Sequence, residues 1–443
     1  MFMRISAKNS RRRDTIRRYL KRSQLYPFQV GAEPSLDLGL VVVIPCFDEP
    51  DILSAICSLE ACARPDCDVE ILIVVNAPEQ AEGPALENNA RVMSQISEWN
   101  SNRSAEWLRC YGICHQDLPA RFAGVGLARK IGMDEAVGRF VGTSRCDGLI
   151  ASLDADSKVA PNYLDELRHE FSSNRGCPGI SIHFEHPVSN LSSSVLREAI
   201  VQYELHLRYY VAGQRLAGFP YAFHTIGSSM ACRADVYASQ GGMNRRKGGE
   251  DFYFIQKLIA LGGYRALTTT TVYPGVRISN RVPFGTGPAL KKAVVQRAEF
   301  ESYSPKIFRD LEHFCKAVAN QLPEDFEDSI HNFPVALQRF LEQQKFVDRL
   351  KEIRGNVVTV PTFRKRVFRW FNAFRFLKFA QFASREYYPK LPVTAVAGTL
   401  AESLGMRMQN GNLDSDSLLS WYRDLDRVAD ISHPGFRSPG NSV

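Results

Sequence analysis

The stretch Leu149-Ile150-Ala151-Ser152-Leu153-Asp154-Ala155-Asp156 carries the reading of the fold. A short run of apolar and small residues opens directly into two carboxylates spaced i, i+2. An uninterrupted run of this length fits a strand covered on both faces, as in the middle of a parallel sheet. Pro161 follows, and Pro161–Phe171 reads as a helix.

Outward from that strand the same alternation repeats. Leu40–Ile44 is an apolar run ending at Pro45, and Val69–Val75 is a second, β-branched run. Trp107–Ile113 and Ile180–Phe184 read as further strands, and Arg265–Tyr273 as another. Between them Ile52, Ile56, Leu59 and Ala63 recur at helical spacing, as do Leu127, Ile131 and Ala136 within Gly126–Val137. Ala90–Trp99, Val195–Val211 and Asp251–Leu261 also read as helices. Short strands alternating with helices predict an α/β fold with a mostly parallel sheet flanked by helices. Ligands in such sheets sit beyond the carboxyl ends of the strands, where Pro45–Glu49, Asn76 and Asp154–Asp156 fall.

Composition bounds the classes. The chain has 443 residues, 44% hydrophobic and 23% charged, which suits a large globular core and not a disordered chain. Its net charge of +7 is concentrated in residues 1–24, where nine Lys or Arg face one acid, Asp14. Such an arm is read as solvated or helical, with anionic lipid, nucleic acid or an acidic polymer as partners it could touch. The ten cysteines include no Cys-x2-Cys pair, so a zinc ribbon is not expected. Cys46, Cys57, Cys62 and Cys67 read as small buried hydrophobes, and free thiols suit a reducing cytosol. No secretory signal and no membrane-spanning run is visible, which predicts a cytoplasmic protein, with contact at the inner face of a membrane left open. Beyond about residue 290 polar and aromatic helices dominate; the stripe Phe363–Ala383 is read as packed on the rest of the chain, with a membrane surface as the competing reading. The end, from Ser432, is expected to fray.

Four constellations carry chemistry. Asp154 and Asp156 on a turning backbone can reach one hard cation, Mn2+ or Mg2+, which then neutralises a diphosphate; the bland alternative is a strand-ending turn. Glu250-Asp251 after Gly248-Gly249 opens a predicted helix. Acids there are favoured by the helix dipole alone, but a fixed carboxylate is also suited to taking a proton from a hydroxyl. Gly124-Val-Gly-Leu-Ala-Arg129-Lys130-Ile-Gly132 is a glycine-rich helix entry, open equally to phosphate recognition and to close packing. In Val272–Gly287, Arg277 and Arg281 lie among glycines and prolines; they fit a loop that pairs with phosphate and closes over a site, or an ordinary surface loop.

In this order the elements resemble glycosyltransferase family 2, with the GT-A fold and a nucleotide-sugar donor. The resemblance spans about residues 39–275 and rests on Val41-Val-Val-Ile-Pro45-Cys-Phe47-Asp-Glu49, Gly126-Leu-Ala-Arg129-Lys130-Ile-Gly132, Asp154-Ala-Asp156, and Gly227–Met230 with Arg233, Gly241-Gly242 and Gly249-Glu250-Asp251. It implies that Pro45, Phe47 and Glu49 cradle base and ribose, helped by Asn76, Arg129 and Lys130. It further implies that Asp154 faces ribose or metal waters, that Asp156 binds the metal, and that Asp251 is the general base of an inverting transfer with Glu250 orienting it. Arg277 and Arg281 would meet the phosphates. The chain departs from the family where Asn76 replaces the usual acid and Lys130 the usual Asn, and it lacks the Gln-x-x-Arg-Trp motif of processive synthases.

The implied organisation is a basic arm over 1–37, a GT-A catalytic domain over 38–290, a helical region over 291–431 and a flexible tail over 432–443. The implied activity is transfer of a hexose to a hydroxyl acceptor, a saccharide or lipid-linked saccharide of an envelope or exopolysaccharide, without nucleic-acid partners. A retaining transferase of the same fold, a sugar-nucleotide pyrophosphorylase and a non-catalytic sugar-nucleotide-binding protein are the competing classes. The pyrophosphorylase is disfavoured because no glycine follows the first strand before Pro50.

Overall fold

The computed structural model describes residues 2–143, 147–189, 191–278, 285–296, 300–406 and 414–428, with side chains from residue 10 onward and excluding that of residue 296. It divides into two compact units, Met1–Ser189 with Thr225–Lys291, and Asn190–His224 with Lys292–Val443.

In chain order the first unit runs α1 (Phe2–Ser23), β1 (Leu38–Cys46), α2 (Ile52–Glu60), β2 (Asp68–Pro78), α3 (Gly83–Asn102), β3 (Leu108–Leu118), α4 (Val125–Val141), β4 (Leu149–Ser152), β5 (Lys158–Val159), α5 (Tyr163–Ser173) and β6 (Gly179–Phe184). The chain passes through α6 (Ser194–Leu216), which belongs to the second unit. It returns with β7 (Met230–Arg233), α7 (Ala234–Ser239), α8 (Glu250–Ile259) and β8 (Arg265–Tyr273). The sheet order is β3-β2-β1-β4-β7-β6-β8-β5. Strands β1, β2, β3 and β4 are mutually parallel, and β6 is parallel to β8. The expected α/β class with a mostly parallel sheet is therefore observed. β7 runs antiparallel between β4 and β6, and β5 antiparallel to β8.

Every residue of β1 is buried, as a central parallel strand requires. α4 lies close over this centre because Gly132 has no side chain; a Cβ there would stand 2.5 Å from Val43 Cγ1 and 2.8 Å from Val74 Cγ2. A buried pair between Glu70 on β2 and Arg139 on α4, at 2.5 Å, ties the same helix to the sheet.

The basic arm is helical, and α1 packs on α4 and α7. Ile16 and Tyr19 are its buried contacts, and Arg12 pairs with Asp147 and Asp235, each at 2.8 Å. Tyr19 hydroxyl donates to Asp134 at 2.6 Å. Gly242 accepts this ring: its φ is +69°, and a Cβ would stand 2.0 Å from Tyr19 hydroxyl. Cys46, Cys62 and Cys67 are buried, but Cys57 is exposed, on the solvent side of α2.

After α9 (Thr286–Gln296) the second unit continues with β9 (Glu301–Ser302), α10 (Pro305–Asn320), α11 (Phe326–Ser329), α12 (Val335–Gln343), α13 (Phe346–Gly355), α14 (Val360–Trp370), α15 (Ala373–Glu386), β10 (Leu391–Pro392), α16 (Val393–Ser403) and α17 (Ser415–Val428). It is helical, as expected of the C-terminal region. The stripe 363–383 is packed inside it: Phe314 meets Phe371 with ring centroids 4.3 Å apart, and Phe346 meets Trp370 at 4.6 Å. α6 packs against α10, α16 and α17. Tyr209 is buried and donates to the Tyr303 carbonyl at 2.7 Å, and Tyr210 stacks on Phe376, so these rings belong to the core of this unit. Fully buried Arg208 donates to Glu204 at 2.9 Å and to Asp426 at 2.6 Å, which also meets Arg215 and His224. Burial would raise Asp426, but Arg215, His224 and Arg208 hold it well below the usual carboxylate range. The expected tail 432–443 lies outside the described residues.

Asp310 on α10 titrates the other way. Tyr388 hydroxyl donates to it at 3.3 Å, but burial pushes its carboxyl up to about 7. A carboxyl raised in the folded state carries stability that is complete below its unfolded pKa and lost as pH rises through about 7. In urea denaturation at pH 5 and pH 8, wild type is expected to lose about 1–2 kcal/mol relative to Asp310→Asn at the higher pH, residual solvent contact limiting the loss. Equal pH dependence in both proteins would refute this.

Candidate functional site

The parallel register brings the carboxyl ends of β1, β2 and β4 to one edge of the sheet. β7 enters antiparallel with Met230 opposite Ser152, so Gly227–Ser229 lie at the same edge. β6 and β8 run in the direction of β4, and the segment after Tyr273 leaves there too. Glu49, Asp154, Asp156, Gly227 and Arg277 are thereby delivered together by strands distant in sequence.

Arg129 organises the centre. It sits in the second turn of α4, with its side chain 4% exposed. Nε donates to Ser152 Oγ at 3.1 Å, one terminal nitrogen pairs with Asp154 and the other with Glu250. Gly227 covers the guanidinium; a Cβ there would stand 2.4–2.5 Å from Nη2, Cζ and Nη1. Gly126 lets the start of α4 approach α8, since its Cβ would stand 2.2 Å from the Arg246 carbonyl and 3.0 Å from Glu250 Cβ. Burial alone would lower the Arg129 pKa, but Asp154, Glu250 and Asp251 outweigh it and raise it.

Glu250 and Asp251 open α8 after Gly249, which holds φ +72°. Glu250 is 1% exposed. Burial raises the pKa of both carboxyls; Arg129 opposes this in both cases, and Asp154 adds to the rise. A raised carboxyl is a stronger base, so Asp251 suits proton acceptance once ionised.

Asp154 and Asp156 keep 39% and 28% of their side chains exposed. Arg277 spans from one wall to the other: it grips both oxygens of Glu49 and stands 3.1 Å from Asp156 Oδ2. Gly275 makes this approach possible, because its Cβ would stand 2.8 Å from Asp156 Cγ. Two carboxylates at one strand end suit a hard cation that shares its shell with a diphosphate, which needs one or two protein carboxylates. Among the described residues no group of three or more His, Cys, Asp or Glu converges.

The remaining candidates divide. Pro45 is buried within β1 and Phe47 is half-buried just beyond it. Glu49 is at the edge, but its carboxylate is 2% exposed and taken by Arg277. Asn76 is buried; its amide donates to the Cys46 carbonyl at 2.9 Å and braces the ends of β1 and β2. Arg129 is a buried strut and does not present itself to a nucleotide. Lys130 is not in the site: its ammonium bonds Asp134 at 2.8 Å and Tyr19 hydroxyl at 2.9 Å, on the side of α4 that receives α1. Arg281 lies outside the described residues.

Sequence reasoning missed Ser152, Asn88 and Asn89. Asn88 bonds the Asp48 carboxylate at 2.5 Å, and Asn89 accepts from the Asp48 amide at 3.1 Å while donating to the Asn76 carbonyl at 3.0 Å. They hold the turn after β1, where Asp48 has φ +51°. Two adjacent asparagines inside a helix are locally disfavoured and were the available signal.

No family model matches the sequence, and no curated protein matches it. Among solved structures, residues 1–349 of S. aureus TarS in complex with UDP-GlcNAc are similar at 13% identity and TM-score 0.39, over 76% of this chain and 93% of that chain. The same protein in complex with UDP gives the same values, 13% and 0.39, over 76% and 93%. At such scores the likeness carries no argument about this chain.

Arg129→Ala strands Glu250 as an unpaired buried carboxylate and is expected to cost about 3–5 kcal/mol in chemical denaturation. Adding Glu250→Gln should recover at least half of that loss. A double variant no more stable than Arg129→Ala would show that Arg129 does not support Glu250.

Proposed function

We propose that this chain is a glycosyltransferase of the family 2, GT-A kind, which moves a sugar from a nucleotide-diphosphate donor to a hydroxyl acceptor with inversion at the anomeric carbon. The observation that carries this reading is Arg129 holding Asp154 with one guanidinium nitrogen and Glu250 with another. A donor-side acid at a strand tip and the acid pair at the start of α8 are thereby within one side chain's span. Had Asp251 lain across the sheet from Asp154 and Asp156, no single reaction could have used them.

In this reading Asp154 and Asp156 would hold Mn2+ or Mg2+, and the cation would supply positive charge to the departing diphosphate. Arg277, whose terminal nitrogens hold Glu49, exchanges the Asp156 carboxylate that faces its Nε for a phosphate oxygen. Pro45 and Phe47 flank the base. Asp251 accepts the acceptor's proton as the hydroxyl attacks, with Glu250 and Arg129 fixing its helix start. The acceptor is a saccharide or a lipid-linked saccharide.

A thermal-shift screen of UDP-, GDP- and other nucleotide-sugars with Mn2+ tests the donor side. One donor is expected to stabilise the wild type and to leave Asp156→Ala unmoved. Stabilisation by none of them, in a folded protein, would sink the proposal. For the transfer step, Asp251→Asn is expected to keep donor binding and lower turnover by ~10²-fold or more. Undiminished turnover in that variant would instead indicate a retaining mechanism.

A further inference from the structure

The cations of α14 find no use in the site, and the fold leaves them on solvent. Thr362, Lys365, Arg366 and Arg369 recur at i, i+3, i+4, i+7 and are all exposed. Phe363, Val367 and Trp370 form the opposite face and are buried in the second unit. Between residues 360 and 386 seven Lys or Arg (364, 365, 366, 369, 375, 378, 385) face one acid, Glu386. Among the described residues no ion pair engages Lys365, Arg366 or Arg369, although α13, packed on α14, carries Asp348 and Glu352. At the entrance to this helix Val358 is 100% exposed and Val357 partly so.

We infer that the solvent face of α14, with Val357 and Val358 at its entrance, is a docking surface for an anionic lipid bilayer. Charge complementarity supplies the attraction, each cation near an anionic leaflet contributing about 1 kcal/mol. The exposed valines select lipid over a soluble polyanion, which gains nothing from apolar side chains. The buried aromatic face is consumed by the core and takes no part, so the contact is peripheral and reversible. Among the described residues no helix is long and apolar enough to cross a membrane, consistent with a surface contact for this part of the chain.

The test is co-sedimentation of the full chain with vesicles of phosphatidylcholine alone and of phosphatidylcholine mixed with phosphatidylglycerol. Binding is expected only to the anionic vesicles and should fall steeply with added salt. Lys365→Gln with Arg366→Gln should lower the partition coefficient ~30-fold, the factor that two cations at this strength carry, with an unchanged melting midpoint. Val358→Ser should weaken what remains by a smaller factor. Equal binding to neutral vesicles, binding indifferent to salt, or an unaltered partition coefficient in the folded double variant overturns the inference. So does tight binding of double-stranded DNA by a chain that ignores the vesicles. Should the double variant melt early, Arg369→Gln alone, on the same exposed face, replaces it and should lower the partition coefficient ~5-fold; an unaltered coefficient in that folded variant overturns the inference.

Discussion

One buried guanidinium sets the terms for the rest of the site. A charge such as Arg129 is tolerated inside a protein only when every donor is met and its charge is balanced. Ser152, Asp154 and Glu250 each take a hydrogen bond from a different guanidinium nitrogen, from β4, from the turn beyond it and from α8. The demand propagates outward. Gly227 must lack a side chain so that the segment leading into β7 can pass over the guanidinium, and Gly126 must lack one so that α4 can reach α8. The antiparallel insertion of β7 beside β4 is what brings Gly227 there. Among the described residues Arg129 is the cation that pairs with the buried Glu250 carboxylate, so the start of α8 stays where Arg129 holds it.

Arg277 is the contrasting case. It also bridges two acids, Glu49 and Asp156, but its side chain is 30% exposed against 4% for Arg129. A buried arginine paired with two carboxylates can be released only at the cost of several kcal/mol. An arginine in partial solvent contact exchanges partners at far lower cost, because water and screening replace much of what it gives up. The two arginines therefore divide the work by burial. Arg129 fixes distances between acids, and under the proposed function Arg277 is the cation that would change its carboxylate for an incoming anion.

Much of this was written locally. Central parallel strands are buried on both faces, so Leu40–Ile44, Val69–Val75 and Leu149–Leu153 stand out as uninterrupted apolar runs, and the acids follow at their ends. β7 did not stand out, since Met-Ala-Cys-Arg is too short and too mixed to show a period. Nor does a helical period say which unit a helix joins: α6 was legible as a helix but not as part of the second unit. Lys130 misled because it sits beside Arg129 in a glycine-rich helix entry. The competing signal was Asp134, four residues on, and that pair plus Tyr19 turned the ammonium toward α1. Consecutive residues on a helix point about 100° apart, so neighbours in sequence need not share a site. Arg129 itself was found, but its part was invisible, because a cation's partners depend on which acids the topology delivers.

The stripe 363–383 shows the same limit from the other side. An amphipathic aromatic helix with cations between its rings has two physical solutions: its rings enter a bilayer, or they enter a core. Sequence periodicity is identical in both, since it records only that one face must leave water. The structure spends the aromatic face on Phe314, Phe326, Phe340 and Phe346. That leaves the cations as the only face with chemistry to offer, and it changes the kind of membrane contact they could make. A ring-inserting helix binds through buried apolar area and is nearly indifferent to salt. A helix whose rings are already packed has only Coulomb attraction and a pair of valines, so its affinity must rise with anionic lipid and collapse with ionic strength. The fold has thus converted a question about insertion into one about charge.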